Sequence, residues 1–224
     1  MKFEDKVSDR FTDDVNTNLR KVIWELNEQT SVLVQKERHD YTLFALRALV
    51  SYTGTLFERL ISHKGFPIEY SAISARNLFE AYLLVAYITS EPAKGKEFLS
   101  QKSFDELEIN EGFLALETAA SEGSIKAIRE RMDYIKRLMQ ENNFKPSKYW
   151  TVSYLAQQTN NKVEYDAFFK LYSKYIHPSS WIVNSFNNEY DNPVFRNIFF
   201  SQGHVFANRI IKLISKYQNK QTIA

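Results

Sequence analysis

Cysteine is absent from the 224 residues. That excludes disulfides, thiolate nucleophiles and metal sites built on Cys, and it fits a reducing cytoplasm. Glycine (6) and proline (5) are scarce. So few breakers cannot supply the turns of a many-stranded sheet, and long helices are expected instead. A charge excess is missing too: 29 basic and 27 acidic residues leave a formal net charge of +2. There is no general attraction to a polyanion at that balance. The chain also lacks a long unbroken apolar run. Its most apolar window, SAISARNLFEAYLLVAYIT, carries Arg76 and Glu80 and reads as a buried helix rather than a membrane span. The first residues, MKFEDKVSDRFTDD, hold no apolar signal region. A cytoplasmic protein without a membrane partner is the expectation.

What the chain does contain is aromatic bulk, 17 Phe and 13 Tyr, enough for a substantial core. Apolar residues recur at helical spacing throughout. Val15, Leu19, Val22, Ile23 and Leu26 mark a first helix from about Phe3 to the mid-thirties. A second runs from near Asp40 to His63, and Gly65 and Pro67 break the chain after it. The third, Ile68 to Thr89, is apolar nearly all round, which places it in the middle of a bundle. A more polar helix from Ala93 to about Ala120 is followed by one from Ser124 to Asn142 with a clean apolar stripe. A short helix from about Lys148 to Gln158 comes next, then Val163 to His177. After a loop from Pro178 to Asn192, the last helix begins with Pro193, where the missing N–H costs nothing, and reaches about Gln218. No strand pattern, repeat or linker is visible. The expectation is one all-α domain over residues 1–224, a bundle of seven or eight helices with its core at about 40–218.

Familiar enzyme signatures (HExxH, GxGxxG, the P-loop, GxSxG) are missing. Attention falls on polar residues in apolar surroundings. Arg76 and Glu80 stand one turn apart on the third helix and share a face. Two readings fit them: a clamp tying helices together, or an anion site in which the planar Arg fork binds phosphate and Glu80 orients it. His177 ends the run LYSKYIHPSS, directly before Pro178. The residue before proline leaves the helical region, so the imidazole stands at a helix C-terminus, where the macrodipole favours its protonated form. It is either a cap on loose carbonyls or a proton carrier near neutral pH. Ser173 and Phe169 share its face, while Tyr172 and Ile176 point to a more buried one. His39, His63 and His204 show no metal-ligand spacing, so neither a metal nor a cofactor is expected.

Charge is unevenly spread. From Phe104 to Gly123 there are six acids and no base; from Pro193 to the end there are five bases and no acid. Arg209, Lys212, Lys216 and Lys220 recur at three- and four-residue spacing and form a basic stripe. A solvated face or a charged partner accounts for such asymmetry.

The segments ARNLFEAYLLVAYI, YWTVSYLAQQTN and YDAFFKLYSKYIHPS together resemble an uncharacterised bacterial all-helical family. Its members pair an Arg-x-x-x-Glu helix with a Tyr-rich helix ending in Ser-x-x-x-His-Pro-Ser. The resemblance covers roughly residues 40 to 215. That family is in turn similar, distantly, to the HEPN superfamily, helical proteins of toxin–antitoxin and phage-defence systems. The resemblance implies an all-α, HEPN-like bundle. It also implies a metal-independent ribonuclease working as a homodimer, with RNA or a protein from the same operon as partner. His177 would then be the general acid/base. Arg76 would stabilise phosphate charge, Glu80 would hold Arg76, and Ser173 or Tyr172 would position substrate. Active HEPN ribonucleases carry an Arg four to six residues before the His; here those places hold Lys170, Leu171 and Tyr172. Lys170 or Arg76 is left to supply the charge. The other reading is a non-catalytic helical interaction module in which the same residues form a buried polar network.

Overall fold

The computed structural model describes residues 9–116, 121–147, 149–186 and 190–223, and among them it is helical with no strand. The elements are α1 (Asp9–Gln35), α2 (Tyr41–Ser62), α3 (Ile68–Ser90), α4 (Lys94–Ala115), α5 (Glu122–Glu141) and α6 (Val152–Gln158). After them come α7 (Lys162–Glu164), a π-helical segment (Tyr165–Phe169), α8 (Lys170–Ile176), α9 (Ser180–Val183) and α10 (Pro193–Ile223). The expected start of the first helix, Phe3 to Ser8, lies outside the described residues, as does the end of the fourth beyond Leu116.

Local chemistry sets most boundaries. The Asp40 carboxylate accepts the Leu43 N–H at 2.9 Å and caps α2. The Ser121 and Thr151 hydroxyls do the same for α5 and α6. With few glycines, the chain closes helices on other residues: Glu37, Asn143 and Asn160 take φ of 52°, 48° and 58°. Each is followed by a residue whose N–H reaches back across the last turn. These bonds are Arg38 to the Leu33 carbonyl, Phe144 to Met139 and Asn161 to Ala156, the pattern of a left-handed helix cap. Glycine serves packing instead. A Cβ on Gly95 would lie 2.5 Å from Thr42 Cα, so α4 crosses α2 with backbones nearly touching.

As expected, α3 is central. It packs against α2, α4, α6, α8 and α10, and it buries Ile68, Ala72, Ala75, Leu78, Phe79, Leu83, Val85 and Ile88. Residues of α1, α2, α3, α6, α8 and α10 join one hydrophobic cluster. The hairpin of α4 and α5 leaves this body as an arm, with α5 resting on α4 and burying Met132 and Ile135.

Three details depart from expectation. The short sixth helix starts at Val152, because Trp150 is drawn out to donate from Nε1 to Glu97 at 3.1 Å. The loop after His177 contains the turn of α9. The helix expected from Val163 to His177 is broken in phase by the π segment, a feature that often marks functional sites.

Candidate functional site

Arg76 and Glu80 leave α3 on its half-exposed face, and Arg76 Nε donates to Glu80 Oε1 at 3.0 Å. Both side chains are about a quarter exposed, 24% and 23%. Burial raises the Glu80 pKa even though the adjacent guanidinium and its hydrogen bond pull it down. The Arg76 guanidinium lies over the Phe169 ring, 4.7 Å from its centroid. Among the described residues its two terminal nitrogens make no hydrogen bond. Partial desolvation, then the charge of Glu80, raises the Tyr149 hydroxyl pKa, and the charge of Arg76 lowers it.

Contacts fix how the helix carrying His177 runs along α3. Tyr82 Oη donates to Asn161 Oδ1 at 3.3 Å, and Arg76 covers Phe169. Burial raises the Tyr175 hydroxyl to about 12; Trp181's hydrogen bond opposes this, and the charges of Asp191 and Glu69 add to it. Positions on α3 thus fall from 82 to 76 as they rise from 161 to 169, so the two run antiparallel. In that direction Ser173 and His177 lie beyond Phe169 toward the N-terminal end of α3.

The predicted residues therefore divide. Arg76 and Glu80 are in direct contact. Ser173 is half-buried, and its hydroxyl donates to the Phe169 carbonyl at 2.9 Å, one turn from the ring under Arg76. His177 is exposed and extended (φ −108°, ψ 151°), and its N–H closes α8 on the Ser173 carbonyl. It follows Phe169 by eight residues, about 12 Å along a helix. Tyr172 is fully buried against Phe199. Its hydroxyl has no hydrogen-bond partner among the described residues, and burial followed by the charge of Glu164 pushes its pKa far up. Arg76 and Glu80 thus line the seam where α3 meets the π segment, Ser173 and His177 follow on the helix that continues from it, and Tyr172 is buried.

Some participants were not foreseen. Arg209 donates through Nη1 to both oxygens of Glu164, at 2.8 and 2.7 Å, anchoring the start of the π segment on α10. This takes Arg209 out of the expected basic stripe, whose exposed members are Lys212, Lys216 and Lys220. His204 is wholly buried. Its Nδ1 bonds the Phe200 carbonyl at 2.8 Å and its Nε2 the Thr12 hydroxyl at 3.0 Å, and desolvation lowers its pKa. A recess of about 500 Å³ beside Glu97, lined by Lys96, Ser100, Asn143, Lys145 and Ser147 among others, includes none of the predicted site residues.

An all-α bundle with an Arg–Glu pair stacked on its π segment and a histidine at the end of the helix that follows is the class that fold and site define. The chain belongs to a family of unknown function, DUF5677, whose pattern matches residues 41–193. The matched region holds α2 to α9 and every predicted site residue. No curated protein and no solved structure matches the chain.

Proposed function

We propose that the protein is a HEPN-like member of a bacterial phage-defence or toxin–antitoxin system that cleaves RNA without a metal ion. The observation that carries this is the state of Arg76. Its Nε is held by Glu80, its face rests on Phe169, and its outer edge has no partner among the described residues. A guanidinium so fixed is ready for a phosphate, which its planar fork suits. At the end of the helix that follows, exposed His177 provides the proton carrier. In the reaction the RNA 2′-oxygen bonds to the adjacent phosphorus and the bond to the 5′-oxygen breaks. His177 moves the proton from the attacking hydroxyl toward the leaving oxygen. Two helical turns separate His177 from the ring under Arg76, so Arg76 holds a phosphate next to the scissile one. Glu80 keeps Arg76 in place, and Ser173 supports the ring beneath it through the Phe169 carbonyl. Tyr172, being buried, packs the core rather than touching substrate. RNA, a protein of the same operon and a second copy are the partners in this reading, and the cytoplasm is the compartment.

The test is incubation of the full chain with RNA in EDTA, with product ends analysed and His177→Ala run in parallel. The expected result is cleavage leaving 2′,3′-cyclic phosphates. The variant should lose cleavage while melting within about 0.5 kcal/mol of wild type, because its side chain is exposed and its cap bond is made by the backbone. RNA left intact by the wild type refutes the proposal. A second reading, the non-catalytic interaction module, draws on the same Arg76: bound to Glu80 and stacked on Phe169, it also clamps α3 to the π segment. That reading expects intact RNA together with a strongly destabilised Arg76→Ala.

A further inference from the structure

His204 takes no part in the proposed chemistry, yet it is wholly buried where α10 meets α1 and α2. Phe11 of α1, Phe57 of α2 and Phe200 of α10 surround its ring, with centroids 5.8, 4.8 and 4.6 Å away. The Phe200 carbonyl, which can only accept, lies 2.8 Å from Nδ1, so that nitrogen carries the hydrogen. In the neutral ring Nε2 is then bare and accepts from the Thr12 hydroxyl at 3.0 Å. Phe11 and Thr12 stand in the first turn of α1, whose buried apolar stripe begins only at Val15. This end of the helix is therefore anchored to α10 through His204.

We propose that His204 is a pH-sensitive latch: uptake of one proton at Nε2 releases the first turns of α1 from α10. Thr12 can turn its hydroxyl to accept, so the cost of protonation lies in the charge rather than in a lost bond. From α1 the ring meets Phe11 and Thr12, and from α2 it meets Phe57. The charged group acting on it is Lys64, just beyond α2, and among the described residues no carboxylate does. Lys64 Nζ stands 5.3 Å from the centroid of the Phe200 ring, which itself lies against His204. An imidazolium there is buried beside a like charge. Desolvation lowers the His204 pKa, the Phe200 hydrogen bond opposes this, and the charge of Lys64 adds to the lowering. Once released, the ring regains water and its ordinary value of 6.5. The latched form thus binds fewer protons than the released one. Its stability is complete above pH 6.5 and declines as pH falls from there toward the depressed value. Because α1 packs on α2 and α10, release begins to uncover the apolar faces that those helices turn toward it. His204 and α1 lie outside the matched family region, and the latch is independent of Arg76 and His177.

Hydrogen–deuterium exchange of the full chain, corrected for the intrinsic rate at each pH, is the experiment. It is run at about pH 7.5 and about pH 5.5, on either side of the ordinary histidine value. Protection over the first turns of α1, from Asp9 to Val15, should fall at least about threefold in acid, while that of α3 changes less. His204→Gln keeps a donor and an acceptor but does not titrate, so its protection should be the same at both pH values. Lys64→Gln removes the like charge from an exposed position, and the acid loss should shrink. Wild-type protection unchanged by acid overturns the proposal, as does an acid loss as large in α3 or in His204→Gln. Should His204→Gln fail to fold, Lys64→Gln decides alone: an acid loss undiminished from wild type overturns the latch.

Discussion

Replacing Arg76 by alanine separates a stranded charge from a merely lost contact. A fully buried partner left unpaired costs about 3–5 kcal/mol, whereas an exposed ion pair contributes about 0–1 kcal/mol. At roughly a quarter exposure the Arg76–Glu80 pair falls between these limits. Losing the stacking on Phe169 removes about 0.5–1 kcal/mol more. A total near 2–3 kcal/mol follows, which for a chain of this size lowers Tm by about 4–12 °C. The pH dependence is the sharper test. Glu80 already has a raised pKa from burial, and both influences that lower it come from Arg76. Without Arg76 the folded-state pKa rises further. A carboxyl with a raised folded pKa lets the native state bind more protons than the unfolded chain. Its stabilising contribution is present below the ordinary carboxyl value of 4.5 and is lost as pH rises through the folded pKa. The Tm gap between wild type and Arg76→Ala should thus be widest near neutral pH and narrow toward pH 4, where Glu80 protonates in both proteins. Thermal melts followed by circular dichroism at several pH values measure it. A gap that stays constant with pH, or a variant as stable as wild type at pH 7, would refute the reasoning.

Two further outcomes follow from packing and charge elsewhere. Gly95→Ala should destabilise by about 1–3 kcal/mol, because the new methyl meets the α2 backbone at Thr42 Cα (2.5 Å) and N (2.9 Å), which a rotamer change cannot relieve; denaturant titration reads this directly, and a neutral result would mean that α4 rides up without cost. For Glu97, burial works against the charge, but hydrogen bonds from Lys94, Ser147 and Trp150 hold its pKa below the ordinary value. Its contribution is therefore present above pH 4.5 and lost as pH falls through the depressed value, so Glu97→Gln should cost about 1–3 kcal/mol at pH 7 and progressively less in acid; equal cost at both pH values would contradict it.

The parts of this fold legible in the sequence are those written in local chemistry. Asp40, Pro67, Pro178 and Pro193 punctuate α2, α3, α8 and α10 within a residue or two, because caps and prolines act on their own neighbours. Apolar spacing placed α3 at the centre, and the separation of Arg76 and Glu80 by one turn anticipated their contact. Partnerships across the chain were not legible. Glu164 and Arg209 are 45 residues apart, and nothing in either neighbourhood announces the other. The same pairing is why the basic stripe of α10 is shorter than its spacing suggested. Phe169 was visible as a neighbour of Ser173 and His177 on one face, but its place under Arg76 depends on the register between two helices. The hydrogen bond from Trp150 to Glu97, 53 residues apart, had no signal at all.

The π segment has a bearing on how substitutions and deletions in this chain should behave. One residue more than an α-helix needs is accommodated between Tyr165 and Phe169, and each residue of a helix turns the next by about 100°. Upstream of this surplus residue, Glu164 faces Arg209; downstream, Phe169 faces Arg76. Delete one residue between them and the helix would be free to relax to regular α geometry, but the two anchors would then point in directions about a quarter-turn apart. Only one could be satisfied, and Ser173 and His177 would swing with whichever half moved. The segment therefore works as a phase shifter. It sets the azimuth of the histidine relative to α3 from a distance, so a single-residue indel there should abolish whatever the seam does without touching any residue on it.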